Sequence, residues 1–256
     1  MQIIPVLDLL NQKVVRGVAG NRELYRPVCS RLCPESEPLA VASAFRRELG
    51  LDSLYVADLD GILRSQPGLD CYRVLADAGF RLLVDSGMRD LTGAEGVLEA
   101  GAEAVVAGLE TSAGPAQLGE LCRELGPERV LFSLDLKHGQ LLTAQPEWDR
   151  LSPLVAAQAA AAQGVRRVIV LDLAGVGVGK GVPTLALCRE IRAACPDLQL
   201  ITGGGIRDGS DLDLLAAEGI DGVLVASALH DGHIGRAEIQ HAIAGSRGSD
   251  MRRTHG

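Results

Sequence analysis

Four aspartates in this chain stand at the ends of short apolar runs. Asp8 closes IIPVLD, Asp58 lies near the end of SLYVADL, Asp135 closes RVLFSLD and Asp172 closes RVIVLD. A carboxylate delivered by the end of a buried strand has two uses. It caps the following loop by accepting backbone N–H bonds, or it serves as acid or base in a cavity whose environment sets its pKa. Glycine supplies a second kind of chemistry. Gly203-Gly204-Gly205 follows LQLIT, and Ala226-Ser227 follows DGVLV. Backbone without side chains lets N–H groups close on an anion, and phosphate is the usual occupant. His138, near Asp135, is either a base that titrates near neutrality or a loop-surface residue. Lys180, in AGVGVGKG, either brings positive charge to a phosphate or enolate or is an exposed loop lysine. VVRGVAGNRELYRPVCSRL carries Arg16, Arg22, Arg26 and Arg31 beside Tyr25. It reads as a solvated basic loop or as a mobile lid whose arginines grip an anionic ligand. His230, His233 and His241 have no partners at metal-ligand spacing, so no metal site is expected.

These groups need elements to hold them. Apolar, β-branched runs recur at 3–8, 53–59, 81–85, 103–108, 129–135, 167–172, 198–202 and 221–226. Most are apolar on both faces, as parallel strands covered by helices should be. Helical stretches alternate with them. PLAVASAFRREL (38–49) has Pro38 at a first helical turn and Gly50 just past its end, a proline-start, glycine-stop pattern. DCYRVLADAG, GAEGVLEAGA, PAQLGELCREL, SPLVAAQAAAAQG, PTLALCREIRAAC, GSDLDLLAAEG and RAEIQHAIAG complete the set. Eight strands, each followed by a helix, predict an α/β fold of the (β/α)8 TIM-barrel type. The 256 residues match the roughly 250 that such a barrel needs. A doubly wound open sheet is the alternative.

An internal repeat favours closure. LLVDSGMRD (82–90) aligns without a gap on LITGGGIRD (200–208), which brings Gly87 onto Gly205 at an offset of 118. EAVVAG falls on DGVLVA at the same offset. Upstream, LYVADLDG pairs with VIVLDLAG, and PVLDL with FSLDL, which sets Asp58 on Asp172 and Asp8 on Asp135. The expected organisation is one barrel over 1–245 with a two-fold half-barrel repeat, about 1–127 and 128–245, and a polar, frayed tail over 246–256. Barrel active sites sit at the C-terminal strand ends, and phosphate commonly binds after strands 7 and 8. Asp8 and Asp135 would then face each other across one pocket.

The formal net charge of −8 disfavours nucleic acid, whose phosphates need a positive surface. No apolar run is long enough to span a bilayer, so no membrane partner is expected. The chain enters its first strand without a basic stretch before an apolar one, so no signal peptide is expected. The six cysteines include no C-x-x-C pair, which fits reduced, mostly buried thiols in a cytoplasmic protein. Oligomeric state is open, with a monomer favoured.

IIPVLDLLNQKVVRG, FSLDLKHG, ITGGGIRD and GVLVASALHDG resemble the histidine-biosynthesis barrel family. That family includes a phosphoribosylformimino-aminoimidazole-carboxamide ribotide isomerase and the imidazole-glycerol-phosphate synthase cyclase. The resemblance spans nearly the whole chain. It implies a (β/α)8 barrel, a bis-phosphorylated substrate, no metal and no redox cofactor. Its strand-1 aspartate falls on Asp8 and its strand-5 aspartate on Asp135. The departures are equally specific. The isomerases follow strand 6 with T-D-I-x-x-D-G-T, in which the second aspartate is the general acid. Aligning Asp172 with the first puts Val176 on the second. The family's second GGG phosphate loop is here Asp85-Ser86-Gly87, and its G-S or G-T after strand 4 is Gly108-Leu109-Glu110. Two carboxylates there would repel a phosphate. The isomerases stack a Gly-Trp tryptophan on the substrate base; Trp148 follows Glu147 at approximate spacing and either stacks or simply packs. The arginine-rich first loop resembles a paralogous branch, some of whose members are associated with methanopterin-linked one-carbon metabolism.

The sequence therefore points first to an isomerase- or cyclase-like enzyme doing acid–base chemistry on an anionic, phosphorylated small molecule. Its expected working residues are Asp8, Asp135, Asp172, His138 and Lys180. The phosphate would lie on Gly203, Gly204, Gly205, Ala226 and Ser227, and the substrate against Arg16, Arg22, Arg26 and Trp148. Alternatives are the authentic ribotide isomerase with its acid relocated, and a catalytically silent phosphate-binding barrel.

Overall fold

The computed structural model describes residues 1–143 and 145–253, with side chains described through Ser246. Among these residues, eight parallel strands close into a barrel: β1 (Gln2–Leu10), β2 (Ser53–Asp58), β3 (Arg81–Asp85), β4 (Ala104–Gly108), β5 (Val130–Lys137), β6 (Arg167–Asp172), β7 (Gln199–Gly203) and β8 (Gly222–Val225). Closure is made by β8 against β1, with Gln2 opposite Gly222 and Pro5 opposite Val225. The helices α1 (Pro38–Ala44), α2 (Leu69–Asp77), α3 (Leu91–Glu99), α4 (Pro115–Leu125), α5 (Pro153–Ala162), α6 (Leu185–Ala194), α7 (Gly209–Ala217) and α8 (Arg236–Arg253) alternate with the strands. The open-sheet alternative is thereby excluded. Among the described residues no helix is long and apolar enough to cross a membrane. All six cysteines are free thiols.

The period of two along a strand divides the core in two. Leu54, Val56, Leu82, Val84, Val105, Val168 and Val170 face outward and pack with the helices. Ile4, Tyr55, Leu83, Ala104, Val106, Leu131, Ile169, Ile201 and Leu224 fill the barrel interior. The helices bury one stripe each: α4 contributes Leu118, Leu121 and Cys122, spaced for one face. Their ends obey local chemistry. Pro38 opens α1, which continues as one π turn to Leu49 and stops at Gly50, in the left-handed region. Asp90 and Asp208, the matching last residues of the repeat, cap α3 and α7 by accepting from Gly93 and Ser210 amides. α8 extends into the polar tail as far as Arg253. The terminal amine donates to Ser246 Oγ. Residues 254–256 lie outside the described residues.

Two strands run beyond the barrel wall. β1 turns at Asn11-Gln12, both in the left-handed region, and pairs back antiparallel with Lys13–Arg16; that segment pairs in turn with Arg26–Pro27. β5 turns at His138-Gly139, again both left-handed, and pairs with Gln140–Leu141. Two successive positive-φ residues make the turn that matches the twist of a hairpin. These hairpins rise from the C-terminal rim, and the first carries the arginine-rich loop over the mouth.

Candidate active site

The inward-facing positions of the strands lead directly into a cavity of about 720 Å³ at the C-terminal end. On β1 the inward series is Ile4, Val6, Asp8; on β5 it is Leu131, Ser133, Asp135; on β3 it is Leu83, Asp85. Each strand therefore ends its apolar inner face on a carboxylate, and all three carboxylates line the cavity. Asp58 and Asp172 have the opposite parity and leave the barrel. Asp58 accepts from the Asp60, Gly61 and Gly68 amides and from Tyr72 Oη. Asp172 accepts from His138, Gly139 and Ala174 amides at 2.8–3.1 Å, which ties the β5 hairpin to the β6 loop. The repeat that pairs Asp58 with Asp172 pairs two loop caps.

Burial dominates the electrostatics of the floor. Asp8 keeps a fringe of accessible surface toward the cavity, but the barrel surrounds it, and that burial pushes its carboxyl up to about 7. It accepts no hydrogen bond from the described residues. Asp135 is pushed to about 8, by burial first and then by the charge of Asp85; bonds from Ser133 Oγ at 2.7 Å and the Leu109 amide oppose the rise. Asp85 rises to about 6 through burial, offset in part by the Gly87 amide at 3.0 Å. Asp85 and Asp135 face one another across Gly108; a methyl there would stand 3.3 and 3.5 Å from their Oδ2 atoms. Tyr55 Oη reaches Asp85 at 3.4 Å, and burial together with the surrounding acids holds its phenol firmly protonated.

The two halves treat their backbone amides differently. After β7 and β8, the Gly204, Gly205 and Ser227 amides donate to no group among the described residues, and all three residues line the cavity. After β3 and β4, two of the three corresponding amides are taken. Gly87 donates to Asp85, and Leu109 donates to the Ser133 carbonyl and to Asp135. Carboxylates of the protein itself thus occupy the donors that would meet an anion. Gly203 does not reach the cavity; a methyl there would lie 2.8 Å from Leu224 Cβ, so its glycine serves strand packing.

The loop after β1 closes the roof. The Ala19 amide donates to the Val176 carbonyl at 2.8 Å, and Val176 itself lines the cavity. Arg16 makes a bidentate pair with Asp231, which draws that carboxyl below its usual range. Arg22 pairs with Glu110 at 2.7 Å. Both arginines reach the cavity, yet both are held by carboxylates of the protein.

Several expected residues lie elsewhere. Arg26 is exposed and bonds the Glu23 and Tyr25 carbonyls. His138 is an exposed turn residue whose backbone, and not its ring, contacts Asp172. Lys180 is exposed and off the cavity. Trp148 is fully buried, stacked on Phe132 at 5.1 Å, with Nε1 donating to the Ser112 carbonyl; it packs instead of facing a ligand. Asp172 is a loop cap, as above. Tyr55 and Asp231 line the cavity without having stood out in the sequence. Strand parity places Tyr55, two positions before the inward Ala57. For Asp231 the sequence carries no signal.

The model of the histidine biosynthesis protein family matches residues 2–235. An uncharacterized protein of Methanocaldococcus jannaschii is 32% identical over 243 residues, covering 93% of this chain and 97% of its own length. A Thermus thermophilus protein named as 1-(5-phosphoribosyl)-5-((5-phosphoribosylamino)methylideneamino) imidazole-4-carboxamide isomerase is 32% identical over 236 residues, covering 91% of this chain and 96% of its own. A Prochlorococcus marinus protein of the same name is 33% identical over 258 residues, at 98% and 96%. Carrying the matched barrel over nearly its full length, together with strand-end carboxylates around one cavity, the chain belongs to the histidine biosynthesis protein family.

Proposed function

We propose that this chain is an acid–base enzyme that isomerises or cyclises a phosphorylated small molecule, and that its reaction differs from that of the relatives named as isomerases. The observation that supports this most is the joint lining of one cavity by the unengaged Gly204, Gly205 and Ser227 amides and by Asp8 and Asp135. The phosphate would lie on Gly204, Gly205, Ala226 and Ser227, where backbone donors cost no reorganisation. Asp8, pushed to about 7, is a base at working pH and takes a proton from the substrate. Asp135, pushed to about 8, keeps its proton at neutrality and donates it to a developing oxyanion or leaving group. Carboxyls whose environments separate their pKa values divide the acid and base roles in this way. The divergence rests on Val176, which carries no proton at the family's acid position, and on the carboxylate-filled amides after β3 and β4. A link to methanopterin-dependent one-carbon metabolism rests on resemblance to the paralogous branch.

Crystals soaked in phosphate or sulfate test the anchor. Density is expected against Gly204, Gly205, Ala226 and Ser227. Density at the β3–β4 loops alone would overturn the assignment. Identity of about a third to the Thermus isomerase favours a second reading, the authentic isomerase with its acid moved; complementation of a host lacking that isomerase separates the two.

A further inference from the structure

The β3–β4 end of the cavity has what a phosphate site lacks and lacks what it has. Two of its amides are spent: Gly87 on Asp85, Leu109 on Ser133 and Asp135. Its side chains are acceptors. Asp85 and Asp135, each 8% exposed, come together over Gly108 and line the cavity. Glu110 stands at the rim and Asp8 is close by on the floor, without a hydrogen-bond donor among the described residues. Four carboxyl groups meet one arginine there, Arg22, and its guanidinium is on Glu110. No three acidic, histidine or cysteine groups converge on one metal-ion position among the described residues. The vacant acceptors are spread around a ligand-sized space.

We propose that this end of the cavity receives a protonated primary amine of the substrate, so that the ligand carries a phosphate at β7–β8 and an ammonium group at β3–β4. The inference rests on the phosphate reading of β7–β8 and adds the second half of the ligand. An ammonium offers three donors and no acceptor, the complement of carboxylate oxygens, which only accept. A second phosphate would meet the filled Gly87 and Leu109 amides and the like charge of the carboxylates. The ammonium also stabilises the ionised form of Asp85, which burial alone disfavours.

Calorimetric titration of the full chain with pentyl and octyl phosphates, their ω-amino counterparts and their ω-phosphate counterparts tests this. The ω-amino ligand of fitting length is expected to bind about tenfold or more tighter than the plain alkyl phosphate, a difference of about 1.4 kcal/mol. In Asp85→Asn, whose side-chain carbonyl still accepts from Gly87, the two should bind alike. Glu110→Gln gives an independent, partial loss of the gain. With the unmodified protein, the gain should grow from pH 6 to pH 8.5. The raised carboxyls of Asp85, Asp8 and Asp135, which share this end with the Arg22–Glu110 pair, ionise over that range, while Tyr55 and Tyr25, whose phenols are pushed up, keep their protons, as does an alkylammonium with a pKa of about 10.4. Tighter binding of the ω-phosphate ligand, or no gain from the amine at either length, overturns the proposal while leaving the β7–β8 anchor standing. Failure of every phosphate to bind overturns the anchor and this proposal together.

Discussion

On the proposed reading, the chemistry at the residue scale turns on Val176 and on the pair Asp8 and Asp135. A valine at the acid position that the resemblance implies would leave proton transfer to Asp8 and Asp135, whose pKa values burial raises. The same burial has a cost for the fold. An unfolded aspartate titrates near 3.9, whereas Asp8 does so at about 7 and Asp135 at about 8. Between about pH 4 and pH 8 the native state therefore binds more protons than the unfolded chain, and stability falls as pH rises through that window. Each tenfold displacement of such an equilibrium is worth about 1.4 kcal/mol. Asp135→Asn should raise the Tm by several degrees at pH 8.5 and hardly at pH 4.5, since its amide group can still accept from Leu109 and donate to Ser133. Thermal melts across pH check this; a variant less stable than the parent at pH 8.5 would show that the carboxylate is stabilised there after all.

At the scale of elements, the two loops over the mouth behave as one piece. The β1 hairpin loop and the β6 loop meet through the Ala19–Val176 bond and through the close approach of Gly177 to Gly17. Gly177 is in the left-handed region, and a methyl there would overlap the Gly17 carbonyl oxygen. Gly177→Ala should cost about 1–2 kcal/mol from backbone strain alone and speed amide hydrogen exchange over residues 17–25 more than in the barrel strands. Unchanged exchange in that loop would mean the clasp does not hold it. Arg22→Ala should loosen the same loop with under about 1 kcal/mol lost in global stability, because a partly exposed ion pair contributes little. Hydrogen exchange and denaturant titration measure the two effects separately.

The whole molecule decides which reaction the barrel can run. We expect the chain to fail to rescue a host lacking the ribotide isomerase. Loss of a general acid typically costs 10²–10⁴ in rate, and a lost anchor for a second phosphate misplaces the reacting atoms further. Val176→Asp alone should restore little, because the β3–β4 amides stay filled. Full rescue by the unmodified chain would show that another group has taken over the acid's role, and substantial recovery from that one substitution would show that Asp85 and Glu110 tolerate the second phosphate. The half-barrel repeat makes a separate prediction. In an experimental structure, residues of the first half should superpose on the second with Asp8 on Asp135 and Gly87 on Gly205; halves that fit only in another register would refute it.

Much of this was determined by the sequence alone, because its information is local. Runs of β-branched residues, Pro38 and Gly50 around α1, and Asp90 and Asp208 at matching caps specify elements and their order, and eight alternations leave closure as the way to cover every strand. Strand parity separates Asp8, Asp85 and Asp135, which face in, from Asp58 and Asp172, which face out, only once the barrel fixes the inner face; the sequence by itself places Asp172 among the working residues. What lay beyond the sequence depends on groups brought together from distant strands. The pairing of Arg22 with Glu110 and of Arg16 with Asp231, the burial of Trp148 against Phe132, and the exposure of His138 and Lys180 have no local signature. Nor does the filling of the Leu109 amide by Asp135, a bond across 26 residues. Only the closed barrel sets those atoms at hydrogen-bonding distance and removes the water that would otherwise hold the pKa values near their ordinary range.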